Sequence, residues 1–533
     1  MIRNKFNILN IIITLVVGLV MYFFFLPPIN VTSMSFWTFI IILLGIYILL
    51  SSISKLDIRG KLRGTIKDIK VLGIVIFTII VGIMIVNFIL SPLFNSKSFS
   101  KRINVVEDTE ESNFITEIKQ VDFNTLPLLD KDSSSRLGDR VMGQLPELVS
   151  QFYVSSLYTQ INYNNEIVRV TPLEYNGLFK YISNYKEGVK GYITVNSVTG
   201  DAKLVKLEKG MKYMPSAYLL KDLDRHLRFQ YPTKIFGNKN FEIDNEGNPY
   251  WITPTLKYVG IEQREEVEGV IITNPINGKS KYYKVGNVPT WVDHVYSANL
   301  IIEQVDDWGM YRNGFLNSIF GQKNVVATTD GYNYTVMNDD VYLYTGITSV
   351  SSDEANLGFI LTNLRTKETR FYSVPGAEEY SAMASAVGQV QQMRYTSTFP
   401  LLINLNNRPT YLVSLKDDAG LVKMYGFIDV ADYQKVVVTD SAKGIEAAAR
   451  NYLNNVELGI DKDLLKEKEI TIKSINTASI DGNTYYYLID SSNNKYYTSI
   501  NINKKLLPFL KVGDKIKIKV SNETDVTEII EIN

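Results

Sequence analysis

The chain has 533 residues, which at ~150 residues per domain predicts three or four folded units. Its 56 Lys and Arg residues balance 56 Asp and Glu residues, so no net charge attracts it to nucleic acid or anionic lipid. The absence of Cys excludes disulfides, thiolate metal sites and Cys nucleophiles, and only two His residues are available for zinc or triad chemistry.

Three apolar runs occupy the front of the chain, at residues 8–26, 36–50 and 71–90. None contains a charged residue. A helix needs about 20 residues to cross ~30 Å of hydrocarbon, so the first and third runs are long enough and the second is slightly short. The first run lacks the small-residue cleavage site of a signal peptide. We therefore predict that residues 1–94 form a membrane anchor of three transmembrane helices, with the lipid bilayer as a partner.

Basic residues predict the orientation of this anchor. Arg3 and Lys5 precede the first run, and residues 55–70 between the second and third runs contain six basic residues against two acidic ones. Such loops stay on the cytoplasmic side of a membrane. The N-terminus is then cytoplasmic, and the large C-terminal region lies outside the plasma membrane. Because the runs contain no ionisable residue, we expect an anchor and no transport path.

A repeated pattern follows residues 95–150, which are polar and predict a stalk with one or two short helices. The segments 191–196, 269–274 and 358–363 each begin with Gly, end with Asn and align without gaps. Each is followed by a turn and a second strand, which predicts the same β-hairpin three times.

The alignment continues beyond these hairpins. Each copy contains a Ser-Ala pair, in which Ser216, Ser297 and Ser381 are expected to cap a helix, and each then ends in a second hairpin. A shortened fourth copy begins at Gly426. Stacked α+β repeats of this kind stabilise one another. The predicted repeats span residues 151–260, 261–350, 351–420 and, as a partial repeat, 421–460.

The strand, turn and strand around residues 195–201, beside a helix, resemble the PepSY module of bacterial envelope proteins. The segments 407–418 and 426–430 show the same pattern, so that the resemblance covers roughly residues 160–455. It implies a row of small extracytoplasmic binding or regulatory domains, some of which act on peptidases. It implies no catalytic residue.

Residues 461–533 show five short strand patterns, including the alternation of Lys with Ile and Val at 515–520. Three strands, a short helix and two strands resemble an OB-fold barrel. Such barrels stack bases or sugars on exposed aromatic rings, so Tyr485, Tyr487 and Tyr496 form a possible binding surface. The alternative is that these tyrosines pair across adjacent strands. The balanced charge argues against nucleic acid as the ligand.

Two groups of residues contain side chains suited to metal binding or to nucleophilic catalysis. Asp222 and His226 are four residues apart, which places them on one face of a predicted helix, as metal ligands or as part of a surface charge network. Asp293, His294 and Ser297 contain the groups of a nucleophilic site, which requires that they converge in space.

Acidic residues also cluster at 244–248, 338–340 and 417–418, where the sequence predicts hairpin turns. None of these clusters has the spacing of a calcium loop, and turns favour Asp, Asn and Gly for conformational reasons. The sequence contains neither a phosphate loop nor a nucleophile elbow. We therefore predict no metal ion and no cofactor.

Together, the patterns predict three N-terminal transmembrane helices, an extracytoplasmic α+β region of tandem β-hairpin/helix repeats, and a small C-terminal OB-like β-barrel. The expected function is non-enzymatic: a membrane-anchored scaffold or binding protein of the bacterial cell envelope with a protein or envelope-polymer partner. One alternative is a PepSY-type regulator or inhibitor of an envelope or membrane enzyme. The other is a hydrolase that uses carboxylates gathered in one deep pocket.

Overall fold

A computed structural model describes residues 2–53, 66–350, 352–455, 466–480, 483–520 and 526–532. The chain divides into two compact units, Met1–Ala449 and Arg450–Asn533. Most of the basic loop on which the predicted orientation depends, residues 54–65, lies outside the described residues.

Three long apolar helices begin the first unit: α1 (Ile2–Phe25), α2 (Met34–Ile53) and α3 (Ile66–Leu90). Each is long and apolar enough to cross a membrane, which confirms the prediction of three candidate spans. Few of their residues are buried inside the protein, as is expected of helices whose side chains face lipid. A short helix, α4 (Pro92–Phe99), follows α3 directly.

Four β-sheets make up most of the remaining first unit. In each, two antiparallel strands form the centre, at least one further strand pairs on one side, and two short consecutive strands pair on the other. The first sheet contains β2 (Phe152–Val154), β3 (Thr159–Tyr163), β4 (Glu166–Tyr175), β5 (Val189–Asn196) and β6 (Ala202–Met211). The second contains β7 (Ile235–Phe236), β8 (Asn240–Ile243), β9 (Pro249–Lys257), β10 (Glu266–Thr273) and β11 (Ser280–Lys284).

The third and fourth sheets share this arrangement, and the third has two additional short strands. The third contains β1 (Val105–Glu107), β12 (Val326–Thr328), β13 (Asn333–Met337), β14 (Asp340–Ser349), β15 (Ser352–Asn363), β16 (Thr369–Tyr372) and β17 (Gly376–Ala377). The fourth contains β18 (Thr396–Ser397), β19 (Leu401–Leu405), β20 (Arg408–Lys416), β21 (Val422–Asp429) and β22 (Val436–Asp440).

A helix precedes each sheet along the chain: α6 (Lys131–Gly143), α9 (Leu223–Gln230), α10 (Ala298–Tyr311) and α11 (Glu379–Gly388). Leu223 and Leu227 of α9 pack with Trp251 and the first sheet in one buried core, and Ile301 and Val305 of α10 pack in a second core with the second and third sheets. The remaining α-helices are α5 (Phe114–Glu117), α7 (Pro146–Val149), α8 (Leu178–Asn184) and α12 (Ile445–Asn455).

The recurring Gly and Asn residues lie in the second long strand of a sheet, where Gly allows a close strand approach and Asn binds the turn that follows. A Cβ atom at Gly269 or Gly358 would collide with the carbonyl oxygen of the neighbouring strand, so the strands approach closely only because these residues lack one. At the strand end, the side-chain oxygens of Asn196, Asn274 and Asn363 each accept two backbone N–H bonds from the following turn.

The residues after Asn274 and Asn363 join consecutive sheets. The carbonyl of Pro275 accepts the backbone N–H groups of Lys212 and Tyr213, at 2.7 and 2.9 Å, from the chain that leaves the first sheet. The carbonyl of Leu364 accepts those of Val295 and Tyr296, at 3.0 and 2.9 Å, after the second sheet. Main-chain hydrogen bonds therefore connect sheets one to two and two to three in the same way.

The predicted repeat boundaries at 260/261, 350/351 and 420/421 each fall between two strands that pair within one sheet: β9 with β10, β14 with β15, and β20 with β21. The hairpin that the sequence places at the end of one copy pairs with the hairpin that begins the next. Successive hairpins have similar sequences, so the alignment identifies the period but gives no information about which neighbours pair.

Residues 95–150 differ from the predicted stalk, because they lie along the sheets. Strand β1 pairs in parallel with β16 of the third sheet, Gln120 bridges to Asn404 of the fourth, and α6 packs on the first. Of the three predicted helix caps, Ser297 caps α10 by accepting the N–H of Leu300 at 3.3 Å. Ser216 instead accepts the N–H of Tyr175, and Ser381 lies inside α11.

The second unit contains a five-stranded closed barrel. Its strands are β23 (Lys466–Ile480), β24 (Asn483–Asp490), β25 (Lys495–Ser499), β26 (Lys515–Val520) and β27 (Val526–Ile532). They close in the order β23-β24-β25-β27-β26, around a core that includes Ile472, Leu488, Leu507 and Ile518. The alternation at 515–520 faces Ile and Val inward, as predicted.

We expect Gly269→Ala to lower the free energy of unfolding by about 1–3 kcal/mol, because the added methyl group would push β10 away from the Tyr283 carbonyl. Gly143→Ala is the matched control, since a Cβ there has no atom within 4 Å. Denaturant unfolding followed by Trp fluorescence measures both variants. Equal stability of the two variants would contradict the proposed close strand approach.

Candidate functional site

One end of each of the three apolar helices contacts the same surface of the first unit. This surface, the juxtamembrane collar, consists of α9, residues 231–234 and the loop 259–264. Backbone N–H groups at the start of a helix and carbonyls at its end have no partner inside that helix, and such groups are costly where water is scarce. The collar supplies partners for them.

Two arginines of α9 bind carbonyls at the end of α1. The Nε atom of Arg225 donates to the Phe23 carbonyl at 2.9 Å, and its guanidinium lies 4.5 Å from the Phe23 ring centre. The Nε atom of Arg228 donates to the Leu26 carbonyl at 2.9 Å. A cation at the C-terminal end of a helix also interacts favourably with the helix dipole.

Arg228 is a buried cation that is held by main-chain carbonyls. Its Nη1 atom contacts the carbonyls of Tyr231, Pro232 and Lys234, and its guanidinium lies 4.2 Å from the Phe236 ring centre. Burial lowers the pKa of Arg228 to about 10, so the side chain stays protonated at neutral pH. The planar guanidinium suits several carbonyls at once, which a lysine ammonium does not.

The start of α2 is bound by the opposite charge. The Glu262 carboxylate accepts the N–H of Met34 at 2.9 Å, and the Glu262 N–H donates to the Thr32 carbonyl at 3.0 Å. A carboxylate is favourable at a helix N-terminus, where N–H groups are unpaired. The collar therefore matches its charge to the polarity of two helix ends, those of α1 and α2.

The end of α3 is bound through Asn87. Its side-chain oxygen accepts the N–H of Ile261 at 3.0 Å, and its side-chain nitrogen donates to the Ile261 carbonyl at 3.1 Å. The Gln263 side chain donates to the Asn87 carbonyl at 3.1 Å. Asn87 is thus a polar residue of an apolar helix, and it binds the loop 259–264 through its side chain and its carbonyl.

The connection between α1 and α2 completes the collar contacts. Ile29 donates its N–H to the Pro232 carbonyl at 2.8 Å, and the Asn30 side chain donates to the Thr233 carbonyl at 3.1 Å. Pro27 and Pro28 are buried beneath this surface. The apolar helices and the sheets are therefore joined by several hydrogen bonds far apart in sequence, in addition to the chain connection at α4.

A second polar cluster is buried where the first, second and third sheets meet. The Glu242 carboxylate accepts the backbone N–H groups of Asp293 and His294 at 2.9 and 3.1 Å. The Asp293 carboxylate accepts the N–H of Asn162 at 2.8 Å, and the His294 ring nitrogen Nε2 lies 2.7 Å from the Gln160 carbonyl. The two carboxylates thus hold main-chain groups of neighbouring elements together.

Burial dominates the ionisation of this cluster. It raises the pKa of Glu242 and, together with the charge of Glu242, that of Asp293. Burial lowers the pKa of His294 to about 4, so the imidazole is neutral at pH 7. Burial also lowers the pKa of Arg169 to about 10, against the charge of Asp130.

A cavity of about 720 Å³ lies beside this cluster and extends to the collar. Its lining residues include Arg228, His294 and Ser297. His294 and Ser297, which the sequence identified, therefore line one cavity. The Ser297 hydroxyl accepts the N–H of Leu300 and the Asp293 carboxylate accepts that of Asn162, so these two groups are used for main-chain contacts rather than for a hydrogen bond to the His294 ring.

Asp222 and His226 lie at the start of α9, as predicted, and take different partners. Asp222 caps the helix by accepting the N–H of Arg225 at 2.8 Å. The His226 ring contacts the Gly278 carbonyl at 2.7 Å and packs on Tyr213. Among the residues that the structure describes, no group of three or more His, Asp or Glu side chains is placed to hold a metal ion.

The predicted acidic turns are turns in the structure. Asp244 accepts the N–H groups of Glu246 and Asn248, and Asp417 accepts that of Leu421. Asp340 instead pairs with the Arg365 guanidinium, at 2.6 and 2.7 Å. Asp244 and Asp417 therefore bind main-chain N–H groups of their own turns, and Asp340 forms an ion pair.

The barrel tyrosines alternate between its outside and its core. Tyr487 stacks on Tyr497 of the paired strand, with ring centres 6.2 Å apart, as the cross-strand alternative predicts. Tyr485 is partly exposed. Tyr496 is buried in the barrel and donates to Asp490, so its ring offers no external surface.

Comparisons of the chain with models of known protein families and with curated proteins give no match.

Replacing Asn87 by Leu keeps α3 apolar but removes both side-chain hydrogen bonds to Ile261. We expect the Ile261 amide to exchange with solvent deuterium at least about fivefold faster, since each lost bond is worth about 1 kcal/mol. Thr78→Leu in the same helix is the control, because Thr78 bonds only to the Ile74 carbonyl of its own helix. Unchanged exchange in Asn87→Leu would contradict the collar contact.

His294 predicts a dependence of stability on pH. Its folded-state pKa is lowered, so the unfolded chain binds more protons below pH ~6.5 and stability is lost as the pH falls toward 4. His294→Gln should flatten this dependence, which is at most about 1.4 kcal/mol per pH unit for one group. The measurement is the free energy of unfolding as a function of pH, for the unaltered protein and for His294→Gln. Glu242 and Asp293 are present in both, so the difference between the two profiles reports His294. Parallel profiles between pH 6.5 and 4.5 would contradict the assignment.

Proposed function

We propose that the protein is a membrane-anchored scaffold or binding protein of the bacterial cell envelope, without enzymatic activity of its own. The observation that carries this proposal is the juxtamembrane collar, which binds one end of each candidate span: Arg225 and Arg228 bind α1, Glu262 binds α2, and Ile261 and Gln263 bind Asn87 of α3. A flexible tether would suffice to retain a catalytic domain at a membrane. Several fixed contacts are suited to presenting a surface in one orientation.

The charge distribution supports an extracytoplasmic position for the sheets and the barrel. The collar binds the end of α1, the start of α2 and the end of α3, so in the proposed orientation the opposite helix ends, at Ile2, Ile53 and Ile66, face the cytoplasm. In the sequence these helix ends adjoin the N-terminal segment and residues 54–65. Those segments contain the basic residues that remain cytoplasmic. The localisation we propose is therefore the plasma membrane, with the large C-terminal region outside.

The recurring sheet arrangement supports a row of PepSY-like units as the scaffold. A helix followed by an interrupted strand and three further strands occurs four times, with consecutive sheets joined through Pro275 and Leu364. The cavity beside His294 is the place where such a row would accept a polar ligand. The barrel order β23-β24-β25-β27-β26, with β25 and β27 parallel, supports an OB-like module that contributes Tyr485, Tyr487 and Tyr497 to a binding face.

The regulatory alternative makes a different prediction about partners. A PepSY-type regulator would co-purify with an envelope or membrane enzyme and change its rate, whereas a scaffold would co-purify without changing the rate. Pull-down of the full chain followed by a rate measurement on the captured enzyme distinguishes the two.

Single-Cys labelling tests the proposed orientation without interference from native thiols, because the chain contains no Cys. In intact cells, a membrane-impermeant maleimide should label Lys279→Cys in the exposed turn before β11 and leave Gly60→Cys unlabelled. Both should react after lysis. Labelling of Gly60→Cys from outside, with protection of Lys279→Cys, would overturn the orientation.

A further inference from the structure

A group of exposed apolar side chains lies on the first unit beside the end of α1. It consists of one face of α8 and the segment before α9: Leu178, Phe179, Ile182, Tyr185, Tyr218, Leu219 and Leu220. Phe179 is 81% exposed, Leu219 64% and Leu220 61%. Contiguous large apolar groups are unusual on a surface that faces only water. We refer to these seven residues as the apolar wedge.

The two parts of the apolar wedge are fixed to each other. The hydroxyl of Tyr181, a buried residue of α8, donates to the Tyr218 carbonyl at 3.1 Å, and the two rings lie 5.3 Å apart. Leu219 has a positive φ of 52°, a conformation that costs a residue other than glycine some backbone energy. The structure thus holds the Leu219 side chain outward in a strained backbone conformation, although leucine side chains are most often buried.

The apolar wedge is continuous with the end of the first candidate span. Arg225 donates to the Leu219 carbonyl at 2.7 Å and, through Nε, to the Phe23 carbonyl at 2.9 Å. One guanidinium therefore connects the wedge to the last turn of α1, where Phe24 and Phe25 are themselves exposed. The part of the wedge at Leu219 is therefore one side chain away from the end of the span.

We propose that the apolar wedge inserts into the interface of the bilayer leaflet that contains the collar. The proposal rests on the membrane anchoring proposed above. Its chemistry is that of an interfacial segment: Leu, Ile and Phe side chains toward the acyl boundary, Tyr185 and Tyr218 at the headgroup level, and Lys180 and Lys186 able to extend toward water. The wedge gives the first sheet a contact with lipid in addition to the three helices.

The occupant is the lipid and not a second copy of the chain, because the position of the wedge is fixed by the span. A residue bonded through Arg225 to the last turn of a membrane helix lies at the water–lipid boundary whether or not another protein is present. Lipid would then cover the wedge at all times, while a second copy would cover it only at sufficient concentration.

Fluorescence quenching by lipid tests this proposal. Phe179→Cys, labelled with a small environment-sensitive fluorophore in the full chain, is reconstituted into phosphatidylcholine–phosphatidylglycerol vesicles whose lipids carry a shallow nitroxide quencher. Phe24→Cys on α1 is the positive reference, and Leu421→Cys, an exposed residue of the turn between β20 and β21, is the negative one. Leu219→Cys provides a second position on the wedge.

We expect the labels at 179 and 219 to be quenched about as strongly as the label at 24, and several-fold more than the label at 421. Quenching at 24 without quenching at 179 and 219 would overturn the wedge proposal and leave the anchor intact. No quenching at 24 would overturn the anchor and the wedge together. Protection of 179 from aqueous iodide without lipid quenching would show that protein covers the wedge, which also overturns it.

Discussion

The structure depends on one interaction, the binding of unpaired main-chain groups at the ends of apolar helices by side chains that are distant in sequence. Near lipid, an unpaired carbonyl or N–H group has few other partners. Arg225 and Arg228 bind the carbonyls at the end of α1, and Glu262 binds the N–H at the start of α2. Each charge has the sign that its helix end favours. The same contacts that satisfy the helices fix the orientation of the sheets.

The fixed orientation extends from the collar through the first unit. The collar belongs to α9 and to the loop between β9 and β10, so the second sheet is directly attached to the helices. Main-chain bonds to Pro275 and Leu364 join the second sheet to the first and the third, and the buried carboxylates of Glu242 and Asp293 bind amides across the same junction. A surface presented by any of these sheets is therefore held relative to the membrane helices.

Local patterns in the sequence predict the apolar helices and most of the long hairpins, but not the strand within residues 95–150 or the caps expected at Ser216 and Ser381. The uncharged apolar runs predicted α1 to α3, and the Gly and Asn positions predicted the hairpins because they report a close strand approach and a turn. The alternation at 515–520 predicted a barrel strand. The pairing of hairpins was not predictable, because the successive copies resemble one another and a local pattern does not specify its partner.

The candidate site could not be predicted, because its parts are far apart in the chain. Arg225 and Phe23 are separated by 202 positions, and Asn87 and Ile261 by 174. In the sequence, Asn87 is a polar residue that a membrane helix tolerates, and Arg228 is one charge of an amphipathic helix. Tyr496 does not belong to the predicted binding surface, because side chains alternate along a strand and its ring is buried in the barrel.

The central claim, that the collar holds the sheets in one orientation on the membrane helices, can be measured as a distance. Spin labels on Gly45→Cys in α2 and Lys279→Cys in the second sheet report it in the full chain within a lipid nanodisc. The account predicts one narrow distance distribution, which should broaden when Arg225 and Arg228 are both replaced by Gln. A broad distribution in the unaltered protein would contradict it.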